Sequence, residues 1–300
     1  MSKVNSTTIE APVNPTERKK RSQAAEIWRN YRRNKGAMIA LGILIFITLI
    51  ALTIDLWIDH DKITAINMAE RLQWPNAKHW FGTDEIGRDL FWRVLYASRY
   101  SLAIGFVAVL ISCLIGIPLG AVAGYYGGKL DNVIMRVSDM FAAIPAILMA
   151  MVVVAVLGSN TRNLMLAIGI SAVPGYVRIT RAAVLTVKNQ EYIEAVRALG
   201  KTEGYIIARH VLPNCLSPII VQVTLRIASA IVAASSLSFL GLGIKPPLPE
   251  WGALLNAGNA FIVTNNYLTI FPGLAIVITV LAFNLVGDGL RDAMDPKLKH

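Results

Sequence analysis

Residues Ala37 to Ile54 read AMIALGILIFITLIALTI, a run with no charged side chain. A helix needs about 20 mainly apolar residues to cross a hydrocarbon core of about 30 Å, so this run, extended to Trp57, predicts one crossing. Five further windows of this kind follow, at roughly 101–124, 133–157, 163–185, 216–242 and 268–288. The fourth is the weakest, because Pro174, Arg178 and Arg181 fall in its second half. The expected fold is all-α: a polytopic membrane protein with six transmembrane helices.

Composition points the same way. Over 300 residues the chain is 55% hydrophobic and 16% charged, with a mean hydropathy of +0.53, which is too apolar for a soluble domain of this size. The net charge of +10 is unevenly spread, with nine of the 29 Lys and Arg in the first 36 residues. These basic residues flank apolar spans and are not interleaved with exposed aromatics, so the charge reports topology and not a nucleic-acid partner. Cys113 and Cys215 lie in or beside apolar runs, where a thiol behaves as a small hydrophobe, and no disulfide framework or metal site follows from them. The four histidines have no ligand spacing.

A basic start before an apolar run can be a cleavable signal peptide. Here the apolar stretch begins only near Ala37 and ends in Trp57-Ile58-Asp59-His60 without a small-x-small cleavage pattern, so it reads as a retained first span. Lys and Arg are enriched on cytoplasmic flanks. With the N-terminus inside, 20 of them fall on inner segments and eight on outer ones, and Arg226 lies within the fifth window. Both termini are thus expected in the cytoplasm. The segment 58–100 strains this assignment, since it carries six of the outer eight beside six acids.

Residues 1–36 form a basic cytoplasmic tail, disordered over 1–20. Ala24 to Lys35 mixes Ile27, Trp28 and Tyr31 with four cations, which suits a short helix on the inner membrane surface in contact with lipid. Residues 37–300 form the transmembrane domain.

The inner connection at about 188–214 begins Glu191-Tyr-Ile-Glu-Ala-Val-Arg-Ala-Leu-Gly200. Ile193, Val196 and Leu199 share a helical face, Gly200 suits a helix end, and Ile206, Ile207 and Val211 begin a second amphipathic run that Pro213 interrupts. Periodicity alone predicts a surface helical hairpin. Opposite charges spaced i, i+3 at Arg136/Asp139 and Asp288/Arg291 predict local ion pairs. Arg226 faces either a water-filled path or a partner subunit. Gly124-Tyr-Tyr-Gly-Gly-Lys129 is Gly-rich, but Lys129 precedes Leu130, so it is not a phosphate-binding loop of Walker A type.

Glu194, Ala195, Arg197, Gly200, Leu212 and Pro213 closely resemble the "EAA" loop of ABC importer permeases, in which a short coupling helix docks on an ATPase subunit. Other stretches resemble one branch of that superfamily, the C-type permease subunit of dipeptide, oligopeptide and nickel importers. They are Phe81-Gly82-Thr83-Asp84 with Gly87-Arg88-Asp89, Gly124 to Gly128 with Asp131 and Arg136, Ser236 to Gly243, Pro246 to Gly252, and Phe283 to Pro296. The similarity runs from about residue 25 to the C-terminus; at Ala97 relatives often have Gly.

The resemblance implies a type I importer fold in the cytoplasmic (inner) membrane, paired with a second permease subunit in a heterodimer. It further implies two ATP-binding subunits, which would hold ATP and Mg²⁺, and an extracytoplasmic solute-binding protein. This chain itself would bind no cofactor or metal and catalyse nothing. Dipeptides or oligopeptides are the expected substrates, with nickel or glutathione as alternatives. The Phe81–Asp89 motif is expected to form a charge-paired turn at the pore mouth rather than a substrate contact. Pro246, Pro247, Pro249 and Trp251 suggest a rigid outer loop touching the binding protein.

A proton-coupled carrier is the main rival. Such carriers place Asp, Glu or His near mid-membrane and often show paired repeats, and neither is clear in this sequence. A membrane-embedded enzyme would need a nucleophile, base or metal constellation, which is not evident either.

Overall fold

The computed structural model describes residues 23–294. Residues 1–22, where disorder is expected over 1–20, and residues 295–300, with Pro296 and the last two lysines, lie outside the described residues. The chain order is α1 (Gln23–Tyr31), α2 (Lys35–Trp57), α3 (His60–Thr64), a 3₁₀ turn at Met68–Glu70, α4 (Leu90–Tyr126), α5 (Gly128–Ala143), α6 (Ala146–Leu157) and α7 (Thr161–Val187). It continues with α8 (Glu191–Ala198), α9 (Glu203–Ile206), a π turn at Ile207–Val211, α10 (Leu212–Asn214), α11 (Leu216–Phe239), α12 (Trp251–Asn259) and α13 (Tyr267–Met294). Among the described residues the sole β pairing is one bridge between Thr83 and Asp89.

Five helices, α2, α4, α7, α11 and α13, are long and apolar enough to cross a membrane. The third window, read from the sequence as one continuous span, is broken. Pro145 separates α5 from α6, and the two are bent by 85°. Their 16 and 12 residues rise only about 24 and 18 Å, so neither covers the bilayer alone. The second window lies inside a longer helix: α4 starts at Leu90 and runs 37 residues, about 55 Å of helix that projects well beyond the hydrocarbon layer. Asp89 sets this start, since its Oδ1 accepts from the Phe91 and Trp92 amides at 2.9 and 3.3 Å. Pro118, Pro174 and Pro272 lie inside α4, α7 and α13 without ending them, as membrane helices tolerate.

Apolar residues cannot drive helix association in lipid, so close van der Waals packing must. The tightest packing is between α4 and α7. Gly116, Gly120 and Gly124 recur every four residues along one face of α4; a Cβ on each would lie 2.5, 2.5 and 2.9 Å from Tyr176 Cβ, Val177 O and Arg181 O. Only hydrogen fits there, and the two backbones approach accordingly. The main core draws on α2, α4, α6, α7, α11, α12 and α13, with Leu44, Ile104, Leu164, Ile231, Trp251 and Phe283 among its buried residues. Leu52, Leu56 and Val156 are among the large apolar side chains left outward, the surface a bilayer would solvate. At one end α1 packs on α13: Tyr31 is buried with Ala37 and Ala293, and its hydroxyl donates to Ala37 O at 3.0 Å.

Candidate functional site

The sequence singles out two regions, and they lie at opposite ends of α4. At its C-terminal end sits the 188–214 connection. Ile193, Ile206, Val211 and Cys215 are buried with Ala121 and Tyr125 of α4 and Val184 and Val187 of α7. This cluster clamps α8 to the bundle, and burial pushes the Cys215 thiol up to about 11. Val196 packs partly against the cluster, but Leu199, expected on the same face, is 77% exposed. The helix has ended by then: α8 stops at Ala198, and Gly200 follows in the left-handed region with φ 76°, which a side chain would oppose.

Polar contacts fix the tilt of α8. Arg197 Nη2 donates to the Tyr125 hydroxyl at 3.1 Å, that hydroxyl donates to Glu203, and Arg197 Nε lies 3.3 Å from Glu203 Oε1. The hydrogen bond to Tyr125, aided by Glu203, raises the Arg197 pKa. Lys188 Nζ donates to the carbonyls of Gly124 and Tyr125 at 2.8 and 3.3 Å, capping the negative end of α4. Glu194 and Ala195 point outward and exposed, as do Tyr192 and Pro213, while Leu212 is half-buried. The loop thus has an inner face tied to α4 and α7 and an outer face of Glu194, Ala195 and Leu199. Arg197, half exposed, makes its polar contacts on the inner side, with Tyr125 and Glu203.

At the other end of α4, the Phe81–Asp89 motif forms a knot. Asp84 Oδ1 accepts from the amides of Ile86 (3.1 Å) and Arg88 (2.9 Å), and its Oδ2 pairs with Arg88 Nε at 2.6 Å. Asp84 and Arg88 are both buried. Asp89, besides capping α4, meets His79 Nδ1 at 2.7 Å through Oδ2. The Thr83 hydroxyl donates to Glu70 O and accepts from the Gln73 amide at 2.8 Å. Tyr267 of α13 donates to Thr83 O at 2.9 Å, and Phe81 stacks on Phe271 with centroids 3.9 Å apart. Gly87 has φ 81°, and a Cβ there would stand 1.7 Å from Asn67 O. The side chains of Thr83, Asp84, Arg88 and Asp89 thus all make contacts within the chain itself.

Several expectations change here. Asp139 pairs not with Arg136 but with Arg178 of α7, at 2.8 Å. Asp288 and Arg291 form no ion pair with each other within 4 Å among the described residues. Arg178 and Arg181, which weakened the fourth window, are both matched from α5, Arg181 by Asp131 at 2.5 and 2.6 Å. The Pro246–Trp251 segment is only half an outer loop. Pro246 and Pro247 are exposed, but Trp251 is buried and its Nε1 donates to Val94 O at 3.0 Å. Glu250, which sequence reading passed over, is fully buried: it caps α12 through the Ala253 amide (3.0 Å) and accepts from the Ser101 hydroxyl (3.1 Å). A Glu just ahead of the apolar run from Trp251 was the signal for that cap.

Five long apolar helices with a broken sixth, and a short helix held by its inner face with its outer face free, define a polytopic transport subunit. The chain belongs to the family of binding-protein-dependent transport system inner membrane components, whose model matches residues 116–300. The N-terminal transmembrane domain of oligopeptide transport permease C matches residues 22–75. It is 44% identical over 274 residues to a dipeptide transport system permease protein of Alkalihalophilus pseudofirmus, covering 91% of this chain and 90% of the relative. It is 46% identical, with the same coverage, to a glutathione transport system permease protein of Escherichia coli O157:H7, and 43% identical to that of Pectobacterium atrosepticum, covering 91% of each chain. In fold it is similar to a chain of the MetNI methionine ABC transporter in an inward-facing conformation, with TM-score 0.58, 20% identity, and 69% of this chain and 98% of that chain covered.

Proposed function

We propose that this chain is one half of the transmembrane pathway of an ATP-driven importer that brings dipeptides or oligopeptides across the cytoplasmic membrane. The observation that carries the reading is the two-faced α8. Its inner face, Ile193 and Arg197, is bound to α4 and α7, so a push on the outer face at Glu194, Ala195 and Leu199 would move those spans as a unit. Two ATP-binding subunits, holding ATP and Mg²⁺, would supply that push, and the chain itself would catalyse nothing. A second, similar permease subunit would complete the pathway, and an extracytoplasmic binding protein would deliver substrate. Both termini and α8 lie in the cytoplasm in this arrangement, with the Phe81–Asp89 knot stiffening the outer mouth. Residues 1–36 act as a basic tail at the inner surface and 37–300 as the transport domain.

Glutathione, itself a peptide, is the second reading, favoured by relatives at 43–46% identity. The test begins with affinity purification from native membranes in mild detergent. A second six-span permease and two Walker-containing ATPases should copurify, and uptake of a labelled dipeptide and of glutathione by the reconstituted complex then separates the two readings. Purification of the chain alone, or only with itself, would sink the importer reading.

A further inference from the structure

Arg226 stands near the middle of α11, where a charge is costly and marks either a buried pair or a function. No carboxylate lies within ion-pairing distance of it among the described residues; Asp131 and Asp139 of α5 are taken by Arg181 and Arg178. The bundle nevertheless makes room for it. A Cβ on Gly175 of α7 would sit 2.7 Å from Arg226 Nη2 and 3.2 Å from its Cζ, so the guanidinium lies directly against the bare backbone of Gly175.

The arginine borders a cavity of about 90 Å³ whose wall includes Ala108, Ala146, Ser171, Ala172 and Ser229. Ser171 and Ser229 donate to carbonyls of their own helices, Ile168 O at 2.8 Å and Leu225 O at 3.2 Å. Arg226 is left as the side-chain donor facing the space. Ala146 opens α6 just after the 85° break, so the positive end of that helix borders the same cavity. One water needs about 10–15 Å³ of such space, so the cavity has room for a carboxylate.

We propose that Arg226 forms a carboxylate-binding subsite on the path through this subunit, which holds the terminal carboxylate of a peptide in passage. The inference rests on the peptide-import reading. A guanidinium matches a carboxylate with two parallel hydrogen bonds, and a single such contact is weak enough to release its ligand onward.

The test compares uptake of a labelled dipeptide with that of its C-terminal amide by the full reconstituted complex with its binding protein. The binding protein is the same in every assay, so a change in the acid-to-amide ratio belongs to the permease. Arg226→Gln should lower uptake of the acid about tenfold and leave the amide within about twofold. Arg226→Lys should restore part of the loss, and Gly175→Ala, which crowds the guanidinium, should shift the ratio in the same direction as Arg226→Gln. An unchanged ratio in Arg226→Gln overturns the inference. So does loss of the partner permease from the purified complex, which would make Arg226 a subunit contact. A wild-type complex that moves neither compound rejects the peptide reading, and the subsite with it.

Discussion

Asp131 of α5 and Arg181 of α7, fifty residues apart in sequence, meet through two hydrogen bonds of 2.5 and 2.6 Å. One turn away along α7, Arg178 holds Asp139 at 2.8 Å. These two bridges tie the first half of the broken span to the helix whose far end carries α8. A shift of α7 is thereby handed to α5.

The pair should behave as a pair. Arg181→Ala and Asp131→Ala should each lower the midpoint of thermal unfolding in detergent, and the double variant should lose less than their sum, with a coupling of about 1 kcal/mol because both groups retain some exposure. Strict additivity would show that the bridge carries no stability.

The glycine ladder sets a sharper contrast. Gly120→Leu would drive a side chain into Val177 and Thr180 and should prevent stable α4–α7 packing, at a cost of about 3 kcal/mol or more. Gly42→Leu, on α2, meets nothing within 4 Å and should be neutral. Yield and monodispersity after gel filtration read both; equal behaviour of the two would refute the packing account.

Gly87→Ala faces both a left-handed backbone and the Asn67 carbonyl 1.7 Å away. It should loosen the Phe81–Asp89 knot, by about 2 kcal/mol or more, seen as faster amide exchange over residues 67–90. Exchange unchanged there would mean the knot tolerates the methyl.

At the α8 end, Glu194→Lys changes an exposed outer-face residue and leaves the inner clamp alone. The expected result is normal insertion and assembly with ATP hydrolysis no longer matched by uptake. Tyr125→Phe removes the hydroxyl between Arg197 and Glu203 and should weaken the same coupling without touching the outer face. Normal uptake per ATP in Glu194→Lys would count against the docking role.

Glu70 gives a pH signature. The hydrogen bond from Lys78 is the main cause holding its pKa below the ordinary value of 4.5. A lowered folded pKa contributes stability that is present above the unfolded value and is lost as pH falls through the folded one. Acidification below about 4.5 should therefore lower the unfolding midpoint slightly, and Lys78→Met should shrink that slope. Lys78 is largely exposed and Glu70 partly so, and solvent screening of the pair keeps the effect small.

Much of this was legible in the chain. Uninterrupted apolar runs such as Ala37 to Ile54 determine the spans by length alone, because every backbone polar group in lipid must be satisfied within a helix. Gly200 after an amphipathic octet determined where α8 stops, and Pro145 was present as a break signal although the third window was read straight through it. The Gly116, Gly120, Gly124 spacing likewise stood in the sequence unread. Other features had no local signature. Asp139 has Arg136 three residues away and still pairs with Arg178, because the choice between two nearby cations depends on where α7 lies. Trp251 and Glu250 turn inward because α4 offers Val94 O and Ser101 to receive them. Leu199 stays exposed because the chain leaves the helix one residue too soon to bury it. A sequence determines periodicity, length and the places a backbone must turn, all of which act within a few residues. Which polar groups meet across the bundle is decided only when helices far apart in the chain pack, since a hydrogen bond or an ion pair depends on distances of a few ångströms that no single segment contains.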